Sequence, residues 1–163
     1  MNTLREKTQG IRFNGNMSIN VKKQDTEKEI QIFDSIKNVV PEFQGIEFKH
    51  LKEEKTAIFD FEGYRDGNIV ARADVKCRGI KSDSYNSFIV SKEKVWLANS
   101  DHDKKYYLIL YFIDNWCRIY DLHGSDIKYE DFVFTHKRTK ERMRQKVYKI
   151  PAKSFIYEYY LTP

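Results

Sequence analysis

"TAIFDFEGYRDGNIVARADVKCR", residues 56–78, decides how this chain is read. Two runs of alternating apolar and polar residues meet at Asp66-Gly67, a dipeptide typical of tight turns, so the stretch is predicted to be a β-hairpin. On the second arm a period of two places Ala71, Ala73, Val75 and Cys77 on one face and Arg72, Asp74 and Lys76 on the other. A face that gathers a guanidinium, a carboxylate and an ammonium is either the wet side of an amphipathic strand or the floor of a charged site.

The tripeptide acid-x-Lys does not settle this alone. It occurs five times, starting at Glu47, Glu53, Asp74, Asp103 and Asp126. Only Asp74-Val75-Lys76 lies inside an apolar alternation on a hairpin arm, with another acid, Asp60, on the first arm. The turn decides whether the two acids meet. A two-residue turn sets Asp60 opposite Ala73 and buries its carboxylate unpaired, at a cost of several kcal/mol. A three-residue loop with Gly67 left-handed sets Asp60 against Arg72, with Asp74 as its diagonal neighbour about 7 to 8 Å away. The second register is the expected one.

Two carboxylates that close repel each other and call for a cation between them. Mg²⁺, or Mn²⁺ in its place, suits such a site: a hard ion held by one or two carboxylates plus waters and phosphate oxygens. Asp60 and Asp74 are the expected metal ligands, and the carbonyl of Val75 could supply a further oxygen. Lys76 would position or deprotonate an attacking water while the metal acidifies it.

Outward from the hairpin, "DTEKEIQIFDSIKNVVP" (25–41) reads as a helix capped by Asp25 and stopped before Pro41, with Ile30, Phe33, Ile36 and Val40 as its buried stripe. A strand is expected near Met17–Val21 and another over Ile46–His50. Ser91 starts a second helix, "SKEKVWLANS", with Val95 and Trp96 among its apolar positions and both tryptophans expected in the core. "KYYLILYFI" and "CRIYDL" form a second strand pair around Asp114-Asn115, and a last strand closes the chain. The result is a single domain over 1–163: a lead-in (1–24), a core (25–122), then a basic arm and C-terminal docking strand (123–163). Helices between groups of strands predict a central mixed β-sheet flanked by helices, in the α/β or mixed α+β class.

Basic residues outnumber acidic ones 29 to 24, and the pI is about 9.0, a lean towards an anionic partner such as DNA. Much of the excess sits in His136–Lys149, where Lys137, Arg138, Lys140, Arg142 and Arg144 face one acid, Glu141. With Arg72 and Arg78 they are the expected grip on backbone phosphates, which gives affinity without a base-reading code. No run approaches the roughly 20 apolar residues of a membrane span, and the polar N-terminus is unlike a signal peptide. Cys77 and Cys117 lie in apolar strands without metal-ligand spacing, as small core residues of a reducing compartment. A cytoplasmic location is expected, in the host cell if the protein is viral.

At Asp60, Asp74-Val75-Lys76 and the following "CRG", then "SFIVSKEKVWL" and the strand pair "YYLILYFIDNWCRIYDL", the chain resembles the PD-(D/E)XK nuclease superfamily, and small phage and bacterial members above all. The resemblance spans roughly residues 25–122. It implies a restriction-endonuclease-like core and metal-dependent hydrolysis of DNA phosphodiesters, with Asp60 and Asp74 as metal ligands and Lys76 as the catalytic lysine. It further implies Glu29 as an additional ligand or water holder and Lys94 as a phosphate contact. Phe59 stands where the family has its proline, and Asp74 replaces the commoner glutamate. Several members act through a second subunit, so a homodimer fits the family.

Two other readings remain open. One is a catalytically inactive nucleic-acid-binding or virion-associated protein on the same fold. The other is an RNA-binding sheet on which Tyr106, Tyr107 and Tyr111 stack bases, which requires those rings to be exposed.

Overall fold

The computed structural model describes residues 10–12, 26–51 and 57–162, and its longest strand is β4, Asn68–Arg78. β3 (Phe61–Arg65) pairs with β4 antiparallel. Asp66 and Gly67 between them both have positive φ, 52° and 81°. This is the two-residue turn, with Arg65 opposite Asn68 and Tyr64 opposite Ile69, not the three-residue loop expected from sequence. Beyond it the register slips by one: Gly63 faces Ala71, Glu62 faces Arg72 and Phe61 faces Ala73, which leaves Val70 as an extra residue on β4. This β-bulge reverses the consequence of the turn. It carries Asp60, the residue before β3, to the face of Asp74.

β4 also pairs with β6 (Lys105–Phe112), in parallel, so the chain must cross over between them. The crossover holds β5 (Ser87–Val90) and a helix, Lys92–Ser100. β7 (Trp116–Asp121) turns back on β6, β10 (Tyr157–Thr162) pairs with β7, and β1 (Gly10–Arg12) joins β10 in parallel. With β2 (Glu47–His50) at the far edge, the mixed sheet runs β1-β10-β7-β6-β4-β3-β2. A smaller sheet, β5-β9-β8, is made with β8 (Lys128–Thr135) and β9 (Arg142–Pro151).

Each face of the large sheet has its own core. On one side α1 (Thr26–Ile36) buries Ile32, Phe33 and Ile36 against Ala71, Ala73, Val75 and Ile109, with Phe33 stacked on Phe61 at 4.1 Å. Burial of each large side chain is worth roughly 1.5–3 kcal/mol. On the other side α2, the Lys92–Ser100 helix, packs Val95 and Ala98 with Phe88, Val90, Leu108, Leu110 and Ile150. The face of Arg72, Asp74 and Lys76 is therefore covered and not wet.

The mixed α/β class and the helix, hairpin and strand-pair expectations hold, but several details differ. Trp96 is 53% exposed and is no core residue. Tyr106, Tyr107 and Tyr111 are buried between the layers, which removes the stacking platform of the RNA-binding reading. The basic arm is itself a strand, β9, hairpinned with a β8 that the sequence did not announce. The strand expected near Met17–Val21 and the Asp25 cap lie outside the described residues. Cys117 is buried and Cys77 half-buried, both free thiols. Among the described residues no helix is long and apolar enough to cross a membrane.

Candidate active site

Asp74 sits in the middle of β4 and is 1% exposed. β4 is flanked by strands on both sides as far as Ala73 and by β6 alone beyond it. Asp74, Val75 and Lys76 thus stand where β3 leaves the sheet, and the chain before β3 carries Asp60 to the same place. Because Phe61 faces Ala73, the residue before it, Asp60, comes beside Asp74 on the same face. Burial above all, and then the Asp60 carboxyl, push the Asp74 pKa up from 3.8 to about 7, while Lys94 and Lys76 pull against the rise. Up to near neutrality Asp74 holds a proton that an isolated aspartate would have lost.

Two ammonium groups converge on the same oxygen. Lys94 Nζ, from the first turn of α2, lies 3.3 Å from Asp74 Oδ2, and Lys76 Nζ lies 3.6 Å from it. The crossover explains the first contact, because a helix laid over this face must point some of its side chains at β4. Lys94 is buried there and Lys76 is half-buried.

The residues suit a divalent cation. Asp60 Oδ2 is buried without a hydrogen-bond partner among the described residues, Asp74 Oδ2 is met by the two ammonium groups at ion-pair distance, and two such buried oxygens are what a hard cation takes up. No group of three His, Cys, Asp or Glu side chains placed to hold an ion occurs among the described residues. Glu29 lies buried on α1, engaged in an interaction within the protein, and is not gathered with Asp60 and Asp74 into such a group.

The expected phosphate contacts fall into two sets. Arg72 is turned into the protein: its Nη1 donates to Tyr106 Oη at 2.9 Å, and its Nε is 3.4 Å from Glu62 Oε2. Tyr106 in turn donates to Asp101 at 2.8 Å, a network that joins β4, β6 and the end of α2. Arg78 donates to the Ile89 carbonyl at 3.4 Å, and burial lowers its pKa against the pull of Asp74. Lys137, Arg138 and Lys140 lie in the turn joining β8 to β9, and Arg142 and Arg144 at the outer end of β9, all exposed. They form a charged hairpin tip.

The family model described as "Phage putative PDDEXK endonuclease" matches residues 21–129 of the chain. That span includes Asp60, Asp74, Lys76 and Lys94 and ends within β8, before the basic tip. Among solved structures, the chain is similar to Hjc, a Holliday junction resolvase from Archaeoglobus fulgidus. The identity is 13%, the TM-score 0.47, and the match covers 83% of this chain and 94% of that one. No curated protein matches.

Proposed function

From the premise that this chain belongs to the phage PDDEXK endonuclease family, we propose that it hydrolyses DNA phosphodiester bonds at the Asp60–Asp74 pair with a bound divalent cation, Mg²⁺ or Mn²⁺. The observation that carries this reading is the meeting of two acids on one covered face, each with a buried Oδ2, beside Lys76 and Lys94. An inert charge pattern on a strand would be solvated, and this one is covered by a helix.

Asp60 and Asp74 would hold the ion, and the Val75 carbonyl could supply a further protein oxygen. Glu29 has no direct place in this ligand set. The ion, when bound, acidifies a coordinated water and screens charge on the phosphate. Lys76, the more exposed of the two lysines, orients that water towards phosphorus. A bond from the water oxygen to phosphorus forms and the bond to one sugar oxygen breaks, with the proton passing to that leaving oxygen. Lys94 offsets the charge of Asp74 and keeps its carboxylate aimed at the site. The hairpin tip, with Lys137, Arg138, Lys140, Arg142 and Arg144, holds backbone phosphates, which gives affinity for DNA in general. Arg72 and Arg78 serve by fixing β4 and its neighbours, since both are already engaged within the protein.

The test is cleavage of supercoiled plasmid and branched DNA with Mg²⁺ or Mn²⁺ by the wild type and by Lys76→Ala. Cleavage by the wild type alone supports the reading. Equal cleavage by both would mean that Lys76 has no part in it. Binding without cleavage by either would favour a non-catalytic DNA-binding protein.

A further inference from the structure

Trp96 is more than half exposed on α2, an uncommon place for so large a ring unless it has something to cover. It does not stand alone. Lys92 Nζ lies over the indole, 4.4 Å from its centroid, and the indole N–H donates to Tyr148 Oη at 2.9 Å. Tyr148 on β9 stacks on Tyr129 of β8, with centroids 4.7 Å apart and planes 24° from parallel. Tyr129 is itself 51% exposed, and Lys146 Nζ lies 5.7 Å from its ring centroid. Lys146 is shared with Asp131 at 3.7 Å, an exposed pair that a phosphate could displace at little cost. Three aromatic rings thus form a row across the junction of α2 and the small sheet, with a lysine at each end.

Beside them, between α2 and the β7–β8 loop, lies a cavity of about 260 Å³ lined by Asn99, His123, Ser125, Asp126 and Tyr148. Its wall offers both hydrogen-bond donors and acceptors, and Tyr148 belongs to the cavity and to the aromatic row alike. A row of rings flanked by cations suits an unpaired strand, whose bases can stack on the rings while its phosphates meet the charges. Duplex DNA offers such rings nothing, because its bases are already stacked.

We propose that Trp96, Tyr148 and Tyr129 form a stacking site for unpaired nucleotides of a DNA strand, with Lys92 and Lys146 on its phosphates and the adjacent cavity receiving a base edge. The inference rests on the nuclease reading for its choice of DNA, and it deepens that reading by naming substrates that contain a single-stranded segment. Lys94 and Trp96 are two positions apart on α2 and so project from nearly opposite sides of the helix. A strand leaving the carboxylates therefore crosses about one helix width, roughly 10–12 Å, before reaching the indole.

The test is equilibrium binding in the presence of a chelator, so that nothing is cut, with a labelled single-stranded oligonucleotide and the matching duplex as probes. Trp96→Ala is expected to weaken single-strand binding roughly five- to a hundredfold, with duplex binding held within about twofold. Tyr129→Ala should act in the same direction, and Trp96→Phe, which keeps a ring but no N–H, should retain most of the affinity. Unchanged single-strand binding in Trp96→Ala and Tyr129→Ala would overturn the proposal. So would equal losses on both probes, or a Trp96→Phe as weak as Trp96→Ala, which would assign the effect to the Tyr148 hydrogen bond. Should Trp96→Ala fail to fold, Tyr129→Ala and Trp96→Phe decide. A chain that cuts no DNA yet shows this selective loss keeps the stacking site and loses the nuclease reading. A chain that cuts DNA without the selective loss does the reverse.

Discussion

Asp60 and Asp74 lie side by side on one face of the hairpin, although the turn that joins their strands would alone set them on opposite faces of the sheet. The bulge at Gly63–Tyr64 supplies the single-residue correction. Burial and the neighbouring Asp60 carboxyl raise the Asp74 pKa to about 7, and a bound divalent cation would favour the ionised form instead.

A divalent cation should therefore stabilise the folded chain. At a concentration a hundred times its dissociation constant it adds about 2.7 kcal/mol, readable as a rise in Tm. Mg²⁺ or Mn²⁺ should raise the Tm of the wild type, and neither should raise that of Asp60→Asn or Asp74→Asn. A rise of equal size in all three proteins would place the bound ion elsewhere.

Without metal, stability should fall with rising pH. The Asp74 pKa is about 7 in the folded protein against an ordinary 3.8. Between those values the folded chain keeps a proton that the unfolded chain releases, so the stabilisation is complete below about pH 4 and is lost as pH rises through 7. From pH 5 to 8 the loss is roughly 2–3 kcal/mol, at about 1.4 kcal/mol per pH unit crossed. Urea denaturation in chelator should show this slope in the wild type in excess of that in Asp74→Asn, where the titrating group is gone.

Lys76→Ala should separate chemistry from metal binding. Loss of a group that positions the nucleophile lowers the rate on the order of 10²- to 10⁴-fold. The Tm rise given by the divalent ion should survive, because Asp60 and Asp74 remain. A variant that loses both together would show that Lys76 acts through the metal site's integrity.

How legible this was in the sequence varied with the kind of signal. Alternation on 68–78 identified β4 and both of its faces, and a charged triplet inside it marked the site. The bulge was not legible, because one extra residue leaves both hydrophobic alternations intact on either side of it. Asp60 and Asp74 were rightly brought together, by the wrong register. Lys94 could be singled out from the resemblance, but its contact with Asp74 depends on how the crossover helix lies. β8 and β9 escaped notice because a hairpin standing out from the core needs few apolar residues. Their exposed, charged positions read as an unstructured arm. Trp96 was assigned to the core on residue type alone, a rule that fails where a large ring has a surface task.

The hairpin tip should account for much of the salt dependence of DNA binding. Lys137, Arg138 and Lys140 sit in an exposed turn, so replacing all three by alanine leaves the packing untouched. Each phosphate contact contributes about 0.9 to the slope of log K against log salt, so the triple variant should lose up to about 3 from it. The loss should be the same for unrelated duplex sequences. An unchanged slope would take the tip away from the DNA.

Gly63 and Gly67 lie four residues apart and should fail for different reasons. Gly67 has positive φ and nothing within 4 Å of a Cβ, so Gly67→Ala meets only the left-handed backbone penalty, roughly 1–2 kcal/mol. Gly63 has ample conformational freedom to spare but no space: its Cβ would lie 2.6 Å from Ile46 Cγ2 and 2.8 Å from Phe48 Cε1. Gly63→Ala must displace the Ile46 and Phe48 side chains packed against the bulge, at a cost of roughly 1–3 kcal/mol. Because that bulge is what aligns Asp60 with Asp74, Gly63→Ala should also blunt the Tm rise given by Mg²⁺ or Mn²⁺, while Gly67→Ala lowers the baseline and keeps the full rise. Thermal melts of both variants with and without the ion measure this. A Gly63→Ala protein with an undiminished response would show that the pair is aligned independently of the bulge.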